Sequence, residues 1–254
     1  MTKRLSPQQA AAKTLKTLNS KADKKKAESY QRYFKEPVLF FGLGNEQSTQ
    51  LRKDLIDSVK DCWTIKDAVS FCNEMVKDPH MESRGIGFQV VAHFAPKAAP
   101  GLVKDIKRWL ERSADNWALV DNLAPSVLAP LIDAHPDLIP EVISWTESSV
   151  QWVRRGATVA FVPLVKQKKY VPAAYKIATR LFDDKEDLMH KAVGWLLRET
   201  GKSDMEELMT FLLKHGPKIP RTSVRYAIER FPKDERKRLL EATKGGAPKR
   251  SAKK

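Results

Sequence analysis

Asp121 is a single carboxylate in a series of otherwise cationic positions, and tryptophans stand close to this series. Trp117 lies four residues before Asp121, and Trp195 lies just after one of the cationic positions. Indole groups are costly in a solvent-facing groove unless they stack on a partner. The combination therefore indicates binding of a positively charged group attached to a sugar. Two roles without chemistry also account for Asp121, namely a helix N-cap and a salt bridge to Arg155.

The segments that must position these residues form a repeat. Each consists of a polar or charged residue followed by a helix rich in small and aliphatic side chains. The segments are RGIGFQVVAHF at Arg84, DNLAPSVLAPL at Asp121, RGATVAFVPLV at Arg155, KAVGWLLRETG at Lys191 and RYAIERF at Arg225, and their first residues are 37, 34, 36 and 34 positions apart. A period of this length is typical of α-solenoids of the HEAT or armadillo type.

The chain between the repeats is also helical in its pattern. Apolar residues recur at three- and four-residue spacing, as in Leu51, Leu55, Ile56 and Val59, and prolines separate the segments. We therefore predict an all-α fold of about ten to twelve short helices, with the aligned residues along the concave edge. Three tryptophans are expected in the core: Trp63, Trp109 and Trp145.

The protein is strongly basic, and the excess charge lies at its two ends. Its formal net charge is +15 over 254 residues. Residues 1–35 hold ten basic and two acidic side chains, and residues 233–254 hold nine and three, whereas residues 36–232 are nearly balanced. Such a charge favours a polyanionic partner, nucleic acid first and an anionic membrane surface second. We expect a basic, partly disordered extension over residues 1–28, a folded domain over 29–240, and a disordered basic tail over 241–254.

Other classes of protein are disfavoured. The sequence contains no apolar run long enough for a transmembrane helix, and its first residues lack the apolar core of a signal peptide. Cys62 and Cys72 indicate a reducing compartment and are expected to be buried. The histidines show no metal-ligand spacing, and the GxG of Gly42 and Gly44 lacks the third glycine of a dinucleotide site. We expect neither a metal nor an organic cofactor.

The segments RYFKEPVLFFGL, NWALVDNL, WVRRGATV and HKAVGWLLRE resemble the bacterial DNA alkylation repair glycosylases of the AlkD type. The resemblance covers about residues 29–240. It implies a right-handed solenoid of HEAT-like helix pairs with a concave DNA-binding face. It also implies excision of N3- and N7-alkylated purines from double-stranded DNA without flipping the base out of the helix, in contrast to most glycosylases.

Position by position, the resemblance implies roles for individual residues. The catalytic carboxylate is Asp121, and the tryptophans that contact the sugar are Trp117 and Trp195. The arginine that contacts DNA is Arg155, with Arg154 as the adjacent alternative, and Tyr33 matches an aromatic residue of the family. Further DNA-binding cations are expected at the repeat positions Arg84, Lys191 and Arg225. The sequence departs from the family where relatives carry glutamine and this chain carries Gly44, so that Asn45 or Gln47 would have to replace its contact.

This chemistry is self-consistent, because an alkylated purine is already cationic and leaves without protonation. The remaining task is to stabilise the oxocarbenium-like sugar, which a nearby carboxylate does electrostatically. The expected partner is double-stranded DNA with alkylated purines, bound by a cytoplasmic, nucleoid-associated monomer with no obligate protein partner and no membrane. One alternative is a non-catalytic HEAT-like scaffold that binds branched or structured DNA. Another is a protein-binding solenoid with solubilising tails.

Overall fold

The computed structural model describes residues 5–244 as two compact units that divide between Leu138 and Ile139. Short 3-10 turns join many of the helices. The helices of the first unit are α1 (Pro7–Ser20), α2 (Lys24–Gln31), α3 (Asn45–Val59), α4 (Ile65–Met75), α5 (Met81–Phe94), α6 (Leu102–Arg112), α7 (Trp117–Leu123) and α8 (Ala129–Ala134). Those of the second are α9 (Ile139–Ser144), α10 (Gln151–Leu164), α11 (Val171–Arg180), α12 (Asp187–Thr200), α13 (Met205–His215), α14 (Arg221–Ala227) and α15 (Lys233–Ala242).

The predicted all-α class is confirmed, and the stacking of successive helices is that of an α-solenoid. In the first unit α4 packs between α1 and α5, and α5 also contacts α3 and α7. In the second unit α12 packs between α10 and α14, while α11 contacts α9 and α13 contacts α15. Over residues 5–244 there is no β-strand beyond one isolated bridge, between Leu39 and His80. Trp63, Trp109 and Trp145 are buried in the core, as predicted.

The N-terminal segment is more ordered than its charge suggested. Helix α1 begins with a complete capping box, in which the Ser6 hydroxyl accepts from the Gln9 N–H and the Gln9 side chain accepts from the Ser6 N–H. Its apolar face, which includes Ala10 and Leu18, is buried against α4. Residue 28 lies inside α2, so that the expected boundary between residues 28 and 29 falls within a helix.

The C-terminal helix also extends beyond the expected boundary, because α15 continues to Ala242. The remainder of the expected tail, residues 245–254, lies outside the described residues, as do residues 1–4. Within residues 5–244, no helix is long and apolar enough to cross a membrane, and no group of three or more potential ligands is arranged to hold a metal ion.

One glycine allows two helices of the second unit to approach closely. A Cβ atom added at Gly194 in α12 would lie 2.5 Å from the Cβ of Tyr226 and 2.8 Å from the carbonyl oxygen of Ser223, both in α14. Any side chain at this position would therefore push the two helices apart.

Helix α7 continues into α8 through a widened turn. Residues 124–128 form a π-helical turn in which the Ala129 N–H donates to the Ala124 carbonyl oxygen, five residues earlier. Pro125 has no N–H and therefore cannot donate the usual α-helical hydrogen bond within this turn. Such π-turns within α-helices are frequent at functional sites. Here the turn begins three residues after Asp121.

Candidate functional site

The first unit contains an open groove of about 640 Å³, a size in the range that binds small molecules. Its aromatic and polar lining side chains form two groups, which we call the aromatic wall and the polar wall. The aromatic wall holds Tyr30, Tyr33, Phe34, Phe40 and Trp117, and the polar wall holds Asn45, Ser48, Thr49, Arg52, Gln89 and Asn122. Tyr33 is 75% exposed at the rim, which makes it the most exposed large hydrophobic residue described. The predicted aromatic residues Tyr33 and Trp117 are thus brought to one groove.

Trp117 is backed by a second ring, Phe34, that was not predicted from the sequence. The Phe34 ring stacks on the indole at a centroid distance of 5.2 Å and an interplanar angle of 17°. One indole face is therefore covered by protein, which fixes the ring and leaves the other face as the contact surface. Trp117 is half-buried, as expected for a ring held in this way.

Asp121 lies on the same face of α7 as Trp117, one turn later. It is half-buried and is the fifth residue of its helix. The cap of α7 is Asn116, whose side-chain oxygen accepts from the N–H groups of Ala118 and Leu119. The N-cap role considered for Asp121 is therefore wrong, because the N-cap of α7 lies five residues earlier, at Asn116.

The segment between α2 and α3 is held by a carboxylate. Glu82 of α5 accepts from the backbone N–H groups of Phe41, Gly42 and Leu43 at 2.8–3.2 Å. Gly42 has a φ of 86°. A Cβ atom there would lie 2.1 Å from the Asp23 carbonyl oxygen. The GxG pattern thus has a structural origin in a left-handed turn packed against α2.

The Gly44 departure leaves one of the two suggested replacements in the groove. Gly44 is the N-cap residue of α3, and its N–H donates to the side-chain oxygen of Gln47 at 3.2 Å. Gln47 is therefore used in capping and does not line the groove, whereas Asn45 does.

A chain of hydrogen bonds joins the polar wall of the groove to α7. Arg52 of α3 donates to the side-chain oxygen of Gln89 at 2.9 Å, and the side-chain amide N–H of Gln89 donates to the Asn122 side-chain oxygen at 2.8 Å. Asn122 follows Asp121 directly, so that α3, α5 and α7 are linked next to the candidate carboxylate. These residues have no signal in the sequence, since their pairing depends on contacts between separate helices.

The second unit contains the remaining predicted residues. Arg155 is buried, and its guanidinium donates to the Leu188 carbonyl oxygen at 2.7 Å. Arg154 forms a two-pronged ion pair with Asp184, with N···O distances of 2.6 and 3.2 Å, and also donates to the carbonyl oxygens of Ser148 and Ser149. Both arginines are thus bonded within the protein.

Arg84 in the first unit makes the same kind of contact as Arg154. Arg84 and Arg154 are each the fourth residue of their helix, and each bonds the backbone carbonyl six residues earlier. Each also pairs with a carboxylate about thirty residues ahead, Asp115 for Arg84 at 2.7 Å. The predicted alignment of Arg84 with Arg155 is therefore off by one residue, and Gly85 is the true counterpart. The Arg84 guanidinium is thus held by bonds within the first unit.

The other anchors keep the predicted register. Asp121, Arg155, Lys191 and Arg225 are each the fifth residue of α7, α10, α12 and α14, so they lie within their helices and do not precede them. Lys191 pairs with Asp187 at 2.7 Å, and this hydrogen bond raises the pKa of the lysine.

Arg225 is exposed and lines a second, basic groove with Lys233, Arg236 and Lys237. This cluster supplies cations on the surface of the second unit. The half-buried Trp195 also belongs to this unit.

The Arg154 ion pair leads to a stability prediction. The Asp184 side chain is only 4% exposed, so that Arg154→Ala leaves a buried carboxylate without its partner. We expect the free energy of unfolding to fall by about 3 kcal/mol, measured by urea denaturation. The control is Arg112→Ala, which removes an exposed arginine at the end of α6 and is expected to change stability by less than about 0.5 kcal/mol. Equal stability of the two variants would show that the Arg154 contact is not structural.

Comparison with known proteins places this arrangement in a family. The family model for "DNA alkylation repair enzyme" matches residues 14–231, a range that covers most of the chain and contains every predicted site residue. The chain belongs to this family. Membership in the DNA alkylation repair family supports an enzymatic role in repair and association with DNA, and it confirms the resemblance seen in the sequence.

Structural comparison agrees with the family at the level of the fold. The chain is similar to a solved structure described as "Predicted DNA alkylation repair enzyme from Enterococcus faecalis", with a TM-score of 0.75 and 16% sequence identity. The similarity covers 84% of this chain and 98% of the other. No curated protein matches the sequence significantly.

Proposed function

We propose that this member of the DNA alkylation repair family is a DNA glycosylase that excises N3- and N7-alkylated purines from double-stranded DNA. The observation that carries the proposal is the shared face of α7, on which Asp121 follows Trp117 by one turn, while Trp117 itself lines an open groove. A carboxylate has an unfavourable interaction with phosphates, so a protein that only binds DNA gains nothing from this residue.

In the proposed reaction the bond between C1′ and the purine nitrogen breaks, and its electron pair goes to the purine. The alkylated base carries a positive charge before cleavage and leaves as a neutral molecule. The positive charge that develops on the sugar is stabilised by the Asp121 carboxylate. Water then adds to C1′ and loses a proton, and an abasic site results. Asp121 also orients this water.

The tryptophans act on the same positive charge. An indole face attracts a cation by about 0.5–2 kcal/mol, depending on how well water is excluded. Phe34 fixes Trp117 so that its uncovered face is available to the nucleotide. We assign the corresponding role in the second unit to Trp195, and we assign phosphate contacts to Arg225, Lys191 and Arg155, with Tyr33 at the rim of the groove. We assign to Arg84 and Arg154 the positioning of the loops that contain their partners Asp115 and Asp184.

This mechanism does not require the base to be flipped out of the DNA helix, since the protein contacts the sugar and stabilises the positive charge that develops on it. It also predicts selectivity for bases that are already cationic. A monomer bound to double-stranded DNA through these units, with its basic ends adding nonspecific attraction, is the simplest arrangement.

The selectivity gives the experiment that tests the proposal. Duplexes that differ at one position, N7-methylguanine, N3-methyladenine or the neutral hypoxanthine, are incubated with excess protein, and free base is quantified. We expect release of both cationic bases and none of hypoxanthine. Binding to all three duplexes without release of any base would favour the non-catalytic scaffold.

A further inference from the structure

The polar wall of the groove in the first unit contains a half-buried arginine without a carboxylate partner. Arg52 donates to the neutral Gln89 amide at 2.9 Å. Within residues 5–244 it takes part in no salt bridge, in contrast to Arg84 and Arg154. A partly desolvated guanidinium with unused donors favours an anion that can accept more than one hydrogen bond.

Two hydroxyl groups lie on the same helical face as Arg52. Ser48 and Thr49 precede Arg52 by four and three residues, a spacing that brings side chains on α3 together. Both line the groove, and neither hydroxyl forms a hydrogen bond with another described residue. Three adjacent side chains thus offer donors to one ligand.

The one carboxylate that lines the groove does not occupy the donors of Arg52. Glu82 is the one acidic residue among the described groove-lining side chains, and its oxygens accept three backbone N–H groups. It forms no salt bridge with Arg52 in the described part of the chain. The polar wall, which holds Arg52 and no acidic residue, therefore carries a positive charge of its own.

We propose that Ser48, Thr49 and Arg52 form a phosphate-binding subsite for the DNA strand whose sugar contacts Trp117. The ligand that fits a groove with one cationic, hydroxyl-lined wall and one aromatic wall is a sugar–phosphate unit. The phosphate accepts from the guanidinium and the hydroxyls, and the apolar face of the sugar lies on the indole. This subsite deepens the proposed function, on which it rests for the choice of DNA as the ligand. It supplies in the first unit the phosphate contact that Arg84, held by Asp115, does not provide.

The test measures the salt dependence of binding. The probe is a lesion-free duplex. Its dissociation constant is determined at several salt concentrations between about 50 and 200 mM, a range over which the affinity of DNA-binding proteins changes strongly. Arg52→Gln is expected to weaken binding about tenfold and to reduce the slope of log K against log[salt] by about 0.9, the loss of one phosphate contact. Arg52→Lys keeps the charge and is expected to restore the slope.

The matched control is Arg112→Gln, which removes the same charge from an exposed position that does not line the groove. We expect a wild-type slope for this variant. A wild-type slope for Arg52→Gln would overturn the proposal, even with weaker binding, because a structural arginine changes affinity without changing the number of phosphates contacted. If Arg52→Gln fails to fold by circular dichroism, the Ser48→Ala, Thr49→Val double variant replaces it. Unchanged affinity of that double variant would also overturn the proposal.

The binding assay is independent of catalysis. If wild-type protein releases no base but Arg52→Gln lowers the slope, the glycosylase proposal fails and the phosphate subsite stands. If base is released and the slope is unchanged, the subsite fails alone.

Discussion

Replacement of Asp121 by asparagine is expected to lower the rate of base release by about 10²–10³-fold, the usual effect of removing one electrostatic stabiliser of a transition state. Asparagine has nearly the same shape as aspartate but no charge, so it cannot stabilise a cationic sugar. Because a negative charge near phosphates is also removed, affinity for DNA should stay the same or increase. Single-turnover release from an N7-methylguanine duplex measures the rate, and titration of the lesion-free duplex measures affinity.

The control for charge is Asp61→Asn, which makes the same substitution in an exposed turn after α3. Its rate should equal that of the wild type. A rate of base release in Asp121→Asn that equals the rate in the Asp61 control would remove Asp121 from the mechanism. Asp121→Ala is expected to be at least as slow as Asp121→Asn.

Replacement of Trp117 by alanine is the change with the second largest expected effect. It removes an indole interaction of about 1–2 kcal/mol with the cationic nucleotide, which corresponds to a loss of about 5–30-fold in rate. It also leaves the Phe34 ring without its stacking partner. The measurement is single-turnover release at saturating protein, combined with thermal denaturation to follow stability.

Trp117→Phe separates the two contributions. Phenylalanine keeps an aromatic partner for Phe34 and a smaller cation-attracting face, so the loss of rate should be about threefold. If Trp117→Ala and Trp117→Phe lowered stability equally and left the rate unchanged, Trp117 would be a packing residue with no part in the reaction.

The fold was predictable because its signals are local. Apolar spacing of three and four residues determines each helix, and repeats about 35 residues apart determine how helices stack. The same periodicity correctly aligned Asp121, Arg155, Lys191 and Arg225 at the fifth position of four helices.

What the sequence did not show depends on contacts between distant segments. Arg84 was aligned with Arg155, although its structural counterpart is Arg154. The correspondence is visible only from the ion pairs, in which Arg84 contacts Asp115, 31 residues later, and Arg154 contacts Asp184 in the same way. Cys62 was predicted to be buried but lies in an exposed turn, whereas burial raises the pKa of the Cys72 thiol.

In the N-terminal segment, the high lysine content obscured the weaker signals for a helix. The abundance of lysine in residues 1–28 favoured disorder, yet the capping box of Ser6 and Gln9 and the buried Leu18 give α1 a start and an apolar face. The net charge of such a segment indicates what kind of partner it binds, whereas capping residues and apolar periodicity indicate whether it is helical. The groove residues Phe34, Arg52 and Gln89 had no comparable local signal.

The central claim is that this family member breaks the glycosidic bond of cationic purines with Asp121. The most direct measurement is the single-turnover release of free 7-methylguanine from a duplex containing one such base, with wild-type protein and Asp121→Asn compared side by side. The account predicts rapid release by the wild type, together with formation of an abasic site, and release by Asp121→Asn close to the spontaneous rate. Release by the wild type that is no faster than the spontaneous reaction, with the duplex demonstrably bound, would contradict it.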